Sequence, residues 1–122
     1  MFYACVVERG FVPFGREQLV GPPLLWPEVR SALHESASRG ALTRVEADAA
    51  FERLGRAPIV ARTPGALGRE AWRIADEFGW MKTYDAEYVA LAVILRCRLV
   101  TTDEGLRRAT SRLGFVVGPT EI

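Results

Sequence analysis

The sequence has 122 residues, enough for one domain with a hydrophobic core and too few for two. Its 16 basic and 15 acidic residues give a formal net charge of +1, so no strong overall field attracts a polyanion from a distance. No stretch of about 18 residues is uncharged and apolar throughout, as a membrane-spanning helix requires. We also expect no signal peptide, because the sequence starts without a basic region followed by an apolar one. These features predict a soluble, cytoplasmic protein that makes no membrane contact.

The two cysteines lie in apolar segments, and the basic residues are nearly all arginine. Cys5 and Cys97 both stand among apolar residues, which predicts buried free thiols in a reducing compartment. Lys82 is the single lysine, and the other fifteen basic residues are arginines. Arginine suits two-pronged contacts with phosphate, and a compositional preference of the genome explains the same excess.

The first half of the chain is predicted to alternate strands with helices. Pro27 is well placed as the first residue of a helix, and Gly40 is a natural stop for it. Thr43 and Glu46 form the pattern of a capping box, which predicts the start of the next helix. The predicted elements are a strand at 1–7, a loop or a single turn at 9–18, a short strand at 19–20, helices at 27–39 and 43–54, and a strand at 58–60.

The second half continues the alternation. Gly79 and Gly114 are predicted to end helices. The predicted elements are a helix that opens at 63–64 and closes at 79, a helix at 83–96, a strand at 98–102, a helix at 104–113 and a strand at 115–117. Helices alternating with short apolar strands predict an α/β fold with a mostly parallel sheet covered on both faces.

The stretch around Asp85 combines a helix with the strand that follows it. Thr83 is predicted to cap the helix, which places Asp85 in the first turn, where the helix dipole favours a carboxylate. Residues 99–102 are predicted to form a strand buried on both faces and ending at Asp103. The apolar face of the helix is predicted to consist of Tyr84, Tyr88, Leu91, Ala92 and Leu95.

Three acids share one description, because each lies near the end of an apolar segment and at the start of a helix. They are Glu28, Asp85 and Asp103. In a parallel sheet such positions converge on one crevice, so we expect a site for Mg²⁺ or Mn²⁺, which prefer oxygen ligands. Taken singly, each acid has a structural explanation in the helix dipole or in N-capping. His34, the only histidine, has no second ligand nearby and is predicted to lie at the surface.

The threonines beside Asp103 are candidates to support such a site. Thr101 and Thr102 carry hydroxyl groups that can orient a carboxylate or a bound water. Clustered carboxylates raise one another's pKa, and a divalent cation removes that cost.

Three segments together resemble the PIN domain, and most closely the VapC-type toxins of bacterial toxin–antitoxin pairs. They are PPLLWPEV at 22–29, YDAEYVALA at 84–92 and LVTTDE at 99–104. The resemblance runs from about residue 19 to the end of the sequence. It implies a single PIN-like domain over 1–122, with a three-layer fold of helices on both faces of a mostly parallel central sheet.

The same resemblance implies a function. PIN domains of this type are metal-dependent ribonucleases, so it implies an RNA substrate, Mg²⁺ or Mn²⁺ as cofactor, an antitoxin encoded alongside, and a homodimer. On that match Glu28, Asp85 and Asp103 take the places of three of the family's catalytic, metal-binding acids. Lys82, just before the Asp85 helix, is the best-placed basic residue to meet an RNA phosphate.

The sequence departs from the family pattern near residue 3. PIN domains usually begin with a strand that ends in aspartate, and Tyr3 stands where that aspartate is expected. Tyr3 can hydrogen-bond a water or a phosphate, but a neutral phenol is a poor metal ligand. Glu8 is a possible substitute ligand. The first aspartate of the sequence is Asp48, in a predicted surface helix.

Substrate contacts beyond Lys82 are predicted around the same crevice. Arg107 and Arg108 follow Asp103 by about one helical turn. Trp80 follows Gly79 in a predicted loop, where it can stack on a base or lie in an interface, whereas Trp26 is predicted to belong to the core.

Three functions fit these patterns. The first is a metal-dependent ribonuclease of the toxin class. The second is the same fold retained as a binding module for RNA or a partner, which the tyrosine at position 3 favours. The third, a phosphoacceptor receiver domain, needs an acidic pair after the first strand, and the absence of aspartate before Asp48 argues against it.

Overall fold

The computed structural model describes residues 1–7 and 10–121, with only the backbone described at Phe2 and Tyr3. The chain divides into two compact units, Met1–Arg62 and Thr63–Ile122. Each unit combines helices with one pair of parallel strands, as expected of the predicted α/β fold. Among the described residues, no helix is long and apolar enough to cross a bilayer.

The described residues of the first unit form three helices and two strands. Its elements are α1 (Phe2–Val6), a 3₁₀ turn (Val12–Phe14), β1 (Leu19–Gly21), α2 (Leu25–Ser38), α3 (Arg44–Gly55) and β2 (Ile59–Ala61). Strands β1 and β2 pair in parallel, with Leu19 opposite Ile59 and Gly21 opposite Ala61. The backbone N–H of Arg62 extends the ladder by donating to the carbonyl of Gly21 over 3.0 Å.

The prediction of a strand at residues 1–7 was wrong, because this segment forms α1. Strand preference depends on a suitable partner, and here the segment instead packs on α2 and α3 with Cys5 fully buried. Arg53 of α3 satisfies the end of the helix, since its Nη1 donates to the carbonyl oxygens of Cys5 over 3.1 Å and Val6 over 3.2 Å. Long-range contacts therefore decide the conformation of this segment.

Helices α2 and α3 follow the sequence signals closely. Helix α2 starts two residues before Pro27 and is followed by Gly40 in the left-handed conformation, with φ of 78°. The predicted capping box of α3 is confirmed in both directions. The Thr43 hydroxyl accepts from the Glu46 backbone over 3.1 Å, and the Glu46 carboxylate accepts from the Thr43 backbone over 3.0 Å.

Up to residue 121, the second unit forms three helices and two short strands. Its elements are α4 (Leu67–Phe78), α5 (Tyr84–Leu95), β3 (Leu99–Val100), α6 (Glu104–Ala109), β4 (Val116–Val117), and 3₁₀ turns at Ser111–Leu113 and Pro119–Glu121. Strands β3 and β4 pair in parallel. The helix predicted at 104–113 is broken at Thr110, whose buried hydroxyl donates to the Leu106 carbonyl over 2.7 Å.

The core of the second unit lies between α4 and α5. It is formed by Leu67, Ala71, Ile74 and Ala75 of α4 with Ala86, Val89, Ala90 and Leu91 of α5. The predicted apolar face of α5 was wrong at its first position, because Tyr84 is 53% exposed. The small residues Ala86 and Ala90 face the core instead and let α4 and α5 pack closely.

Two predictions of burial were also wrong. Strand β3 is not buried on both faces, because Leu99 is half-buried and Val100 is 36% exposed. Cys97 is exposed, since it lies just after the left-handed residue Arg96 that ends α5. Cys5 is a buried free thiol as predicted.

Candidate functional site

Glu28 lies in the first turn of α2, in the first unit. Leu25 and Val29 of the same turn are buried, whereas Glu28 is exposed. Its backbone N–H donates to the carbonyl of Leu24 over 3.1 Å. A carboxylate at this position interacts favourably with the partial positive charge of the helix start.

Asp85 lies in the first turn of α5, in the second unit, and is exposed. Thr83 occupies the N-cap position as predicted, but its side chain makes no capping hydrogen bond. Its φ of −99° and ψ of 1° differ from the extended conformation in which a threonine hydroxyl reaches the next turn. Without a capping hydrogen bond from Thr83, the first turn of α5 still contains two acids, Asp85 and Glu87. Their carboxylates complement the helix dipole at the start of α5.

Asp103 is the N-cap of α6 and is held from two directions. Its Oδ1 accepts a hydrogen bond from the backbone N–H of Leu106 over 3.0 Å. Its own backbone N–H donates to Oγ1 of Thr101 over 3.1 Å. Thr101 thus holds the backbone of Asp103, and its predicted effect on a carboxylate or a bound water stays a prediction. The capping bond uses one of the two carboxylate oxygens.

The other predicted site residues are placed as follows. Thr102 is exposed beside Asp103, and Lys82 is exposed two residues before α5. Tyr3 lies in α1, so the strand on which its assignment depended is not formed, and its side chain is outside the described atoms. Glu8 lies outside the described residues. His34 is exposed, as predicted.

The three-acid metal site remains a prediction. Glu28 belongs to the first unit, and Asp85 and Asp103 belong to the second. Within residues 1–7 and 10–121, no three side chains of His, Cys, Asp or Glu form a group that could hold a metal ion. The chemistry of the donors fits a hard cation, because all three acids offer carboxylate oxygens without sulfur or imidazole.

Trp80, the residue predicted to stack on a base or to lie in an interface, is half-buried. Its ring stacks on Phe78, with centroids 5.0 Å apart and planes 21° apart, and it packs against the α4–α5 core. The guanidinium of Arg112 covers the Phe78 ring at 4.4 Å from the centroid. The left-handed turn at Gly79 folds the chain back and brings the two aromatic rings together.

Sequence reasoning missed one charged cluster near Asp103. Arg107, in the last turn of α6, forms an ion pair with Glu121. No local pattern predicts this pair, because fourteen residues separate its members. Arg108, the second arginine predicted near Asp103, is exposed.

The sequence model of the PIN domain matches residues 9–111 of this chain. The chain belongs to the PIN domain family. The match contains Glu28, Asp85 and Asp103, and it begins after Tyr3. The fold of this PIN domain is α/β, in agreement with the helices and parallel strand pairs described above.

Curated relatives of this PIN domain come from mycobacteria. It is 40% identical to ribonuclease VapC3 of Mycobacterium tuberculosis over 82 residues, which are 67% of this chain and 58% of that protein. It is also 33% identical to ribonuclease VapC9 of the same species and to the VapC ribonuclease Mb0985 of Mycobacterium bovis. Each of these two matches extends over 87 residues, which are 71% of this chain and 66% of the relative. This PIN domain therefore spans less than two thirds of these relatives' length.

Proposed function

We propose that this PIN domain is a metal-dependent ribonuclease that hydrolyses phosphodiester bonds of RNA, and that it is the toxin of a toxin–antitoxin pair. The observation that carries the proposal is the family match, which spans residues 9–111 and contains all three candidate acids. Relatives with 33% and 40% identity are named VapC ribonucleases, which supports the same activity here.

We assign Glu28, Asp85 and Asp103 as the residues that hold the catalytic Mg²⁺ or Mn²⁺. When bound, such an ion supplies an activated water and stabilises the charge that develops on the phosphate. The three carboxylates contribute the negative charge that attracts the cation. Thr101 holds the backbone of Asp103 in place through a hydrogen bond of 3.1 Å.

The neighbouring polar residues are assigned to the substrate. Lys82 is exposed and carries the charge that an RNA phosphate requires. Thr102 is exposed next to Asp103 and offers a hydroxyl to a water or a phosphate oxygen. Tyr3 is proposed to contribute its phenol in the same way, in place of the aspartate expected there.

The proposed partners follow from the toxin assignment. We propose that residues 1–122 act as one PIN domain, that the protein forms a homodimer, and that an antitoxin encoded alongside blocks its site. We propose that this activity takes place in the cytoplasm, where the RNA substrate is present.

A second candidate function is binding of RNA or a partner without cleavage. The observation that favours it is the tyrosine at position 3, since the loss of one carboxylate lowers the negative charge of the site and weakens its hold on a cation. The choice between the two functions depends on the strength of metal binding.

Cleavage of labelled RNA with Mg²⁺, with Mn²⁺ and with a chelator tests the main proposal. We expect metal-dependent cleavage that Asp85→Asn abolishes, because a neutral amide oxygen holds a divalent cation much more weakly than a carboxylate. Asp76→Asn is the matched control, since Asp76 is an exposed carboxylate of α4 in the same unit. Wild-type protein no more active than Asp85→Asn would favour the binding module.

Tyr3→Asp tests the departure at position 3. An increase in cleavage or in metal affinity would show that this position belongs to the site. No change would show that Tyr3 does not correspond to the family's first aspartate.

A further inference from the structure

The last turn of α6 and the segment after β4 form a small cluster of charged and polar groups. Oε1 of Glu121 accepts hydrogen bonds from Nη2 of Arg107 and from the backbone N–H of Gly118, the latter over 3.3 Å. Nη1 of Arg98 donates to the main-chain carbonyl of Glu121 over 3.4 Å. One carboxylate oxygen thus lies between a guanidinium and a backbone N–H.

Gly118 makes this arrangement possible. A Cβ at this position would lie 3.0 Å from Nη1 of Arg107 and 3.2 Å from Oε1 of Glu121. Both distances are tighter than ordinary van der Waals contact, so the absence of a side chain lets the backbone lie directly against the guanidinium. Gly118 is buried, whereas the side chains of Arg107 and Glu121 are 36% and 47% exposed.

We propose that Arg107 and the N–H of Gly118 form a phosphate-binding seat, and that Glu121 occupies this seat until RNA displaces it. The carboxylate oxygen of Glu121 stands in for a phosphate oxygen, because a guanidinium and a backbone N–H donate hydrogen bonds to either kind of anionic oxygen. The partial exposure of Glu121 allows it to move away.

The position of the seat connects it to the proposed chemistry. The backbone N–H of Arg107 donates to the carbonyl of Asp103 over 3.0 Å, so the two residues lie one helical turn apart. A phosphate held by Arg107 therefore lies near the helix that presents Asp103. The assignment of RNA as the ligand rests on the proposed ribonuclease function, whereas the seat itself rests on the contacts of Arg107, Gly118 and Glu121.

The carboxylate of Glu121 competes with an RNA phosphate for Arg107 and the N–H of Gly118. An exposed or half-exposed ion pair is worth little, so RNA can break it at modest cost. We expect Glu121→Gln to bind single-stranded RNA about three- to five-fold more tightly than the wild-type protein, because the competing charge is gone. Arg107→Gln is expected to bind RNA more weakly, and the double variant to behave like Arg107→Gln.

Two measurements test the proposal. Fluorescence anisotropy with a labelled single-stranded RNA, in chelator to prevent cleavage, gives the affinities of the wild-type protein and the three variants. Asp76→Asn removes one exposed negative charge elsewhere in the same unit and controls for overall charge. The backbone amide shift of Gly118 during titration with inorganic phosphate reports on the seat independently of RNA.

The outcomes distinguish a failure of the phosphate-binding seat from a failure of the proposed RNA ligand. Tighter RNA binding by Glu121→Gln but not by Asp76→Asn, lost in the double variant, supports the proposal. Equal gains in Glu121→Gln and Asp76→Asn would overturn it, and so would a Gly118 amide that phosphate does not shift in Glu121→Gln. If phosphate shifts Gly118 but no variant binds RNA, the seat stands and RNA as its ligand is refuted.

Discussion

The side chain of Asp103 accepts a hydrogen bond from the backbone N–H of Leu106, with Oδ1 and N 3.0 Å apart. This contact makes Asp103 the N-cap of α6, so one residue has both a structural role and a proposed catalytic role. Substitutions can separate the two, because asparagine caps a helix about as well as aspartate but carries no charge.

Asp103→Asn is expected to keep the stability of the protein within about 0.5 kcal/mol and to abolish metal-dependent RNA cleavage. Asp103→Ala is expected to lose cleavage and also about 1 kcal/mol of stability, because the N–H of Leu106 loses its partner. Denaturant unfolding and the cleavage assay measure the two effects. Full cleavage by Asp103→Asn would show that Asp103 has only the capping role.

The capping box of α3 gives a pH-dependent contribution to stability. Hydrogen bonds from the backbone and the side chain of Thr43 lower the pKa of Glu46 below its usual 4.5. A lowered carboxyl pKa stabilises the folded state above pH 4.5, and this contribution is lost as the pH falls through the folded-state value. We expect the wild-type protein to lose more stability than Glu46→Gln between about pH 5 and pH 3.

Thermal unfolding of both proteins across this pH range measures the difference. Glutamine can still make the capping hydrogen bond, so the comparison isolates the charge. Glu52→Gln, an exposed acid of the same helix, is the matched control. Parallel pH profiles for wild-type protein and Glu46→Gln would contradict the assignment.

Arg53→Met is expected to loosen α1. It removes the donor for the carbonyl oxygens of Cys5 and Val6, and a hydrogen bond from a charged donor is worth about 1.5 kcal/mol or more. Local opening of α1 then becomes roughly ten-fold more frequent, so a thiol reagent reacts with buried Cys5 about ten-fold faster. Cys97 is exposed and serves as the internal standard.

A faster or a slower reaction of Cys5 distinguishes local opening of α1 from a change in the pKa of the thiol. Burial raises the pKa of the Cys5 thiol, and the charge of Arg53 partly opposes that rise. Removal of the charge alone would raise the pKa further and slow the reaction, because the thiolate is the reactive form. Slower labelling of Arg53→Met than of the control Arg56→Met would therefore contradict the capping role.

Arg96 ends α5 with φ of 54°, in the left-handed region that side chains disfavour. We expect Arg96→Gly to stabilise the protein by about 0.5–1 kcal/mol, since relief of the strain outweighs the extra freedom of glycine in the unfolded chain. Gly79→Ala, at φ of 70°, is expected to destabilise by about 1 kcal/mol. Denaturant unfolding measures both, and a loss of stability in Arg96→Gly would show that its side chain has a further contact.

The sequence predicted those parts of the fold that depend on local contacts. The capping box at Thr43 and Glu46 and the left-handed glycines at positions 40, 79 and 114 are set by a few consecutive residues. Residues 1–7 were mistaken for a strand because their conformation depends on Arg53, more than forty residues away in the chain. A side-chain contact of that range leaves no local pattern.

The candidate site also has features that depend on neighbouring residues and others that depend on tertiary contacts. The position of each acid in a first turn or at an N-cap follows from neighbouring residues, so Asp85 and Asp103 were placed correctly on their helices. The predicted meeting of the three carboxylates, in contrast, depends on tertiary geometry that no periodicity encodes. Trp80 shows the same limit, because its stacking on Phe78 depends on the turn at Gly79.

Lys82 is the only lysine among the 122 residues, and it is exposed between α4 and α5. A lysine-specific protease therefore has a single peptide bond to cut in this sequence. The cut leaves α4 in one fragment and α5 in the other, although the two helices form one core. After cleavage, the apolar packing of α4 on α5 and the contacts of Arg112 with Glu77 and Phe78 would still join the two fragments.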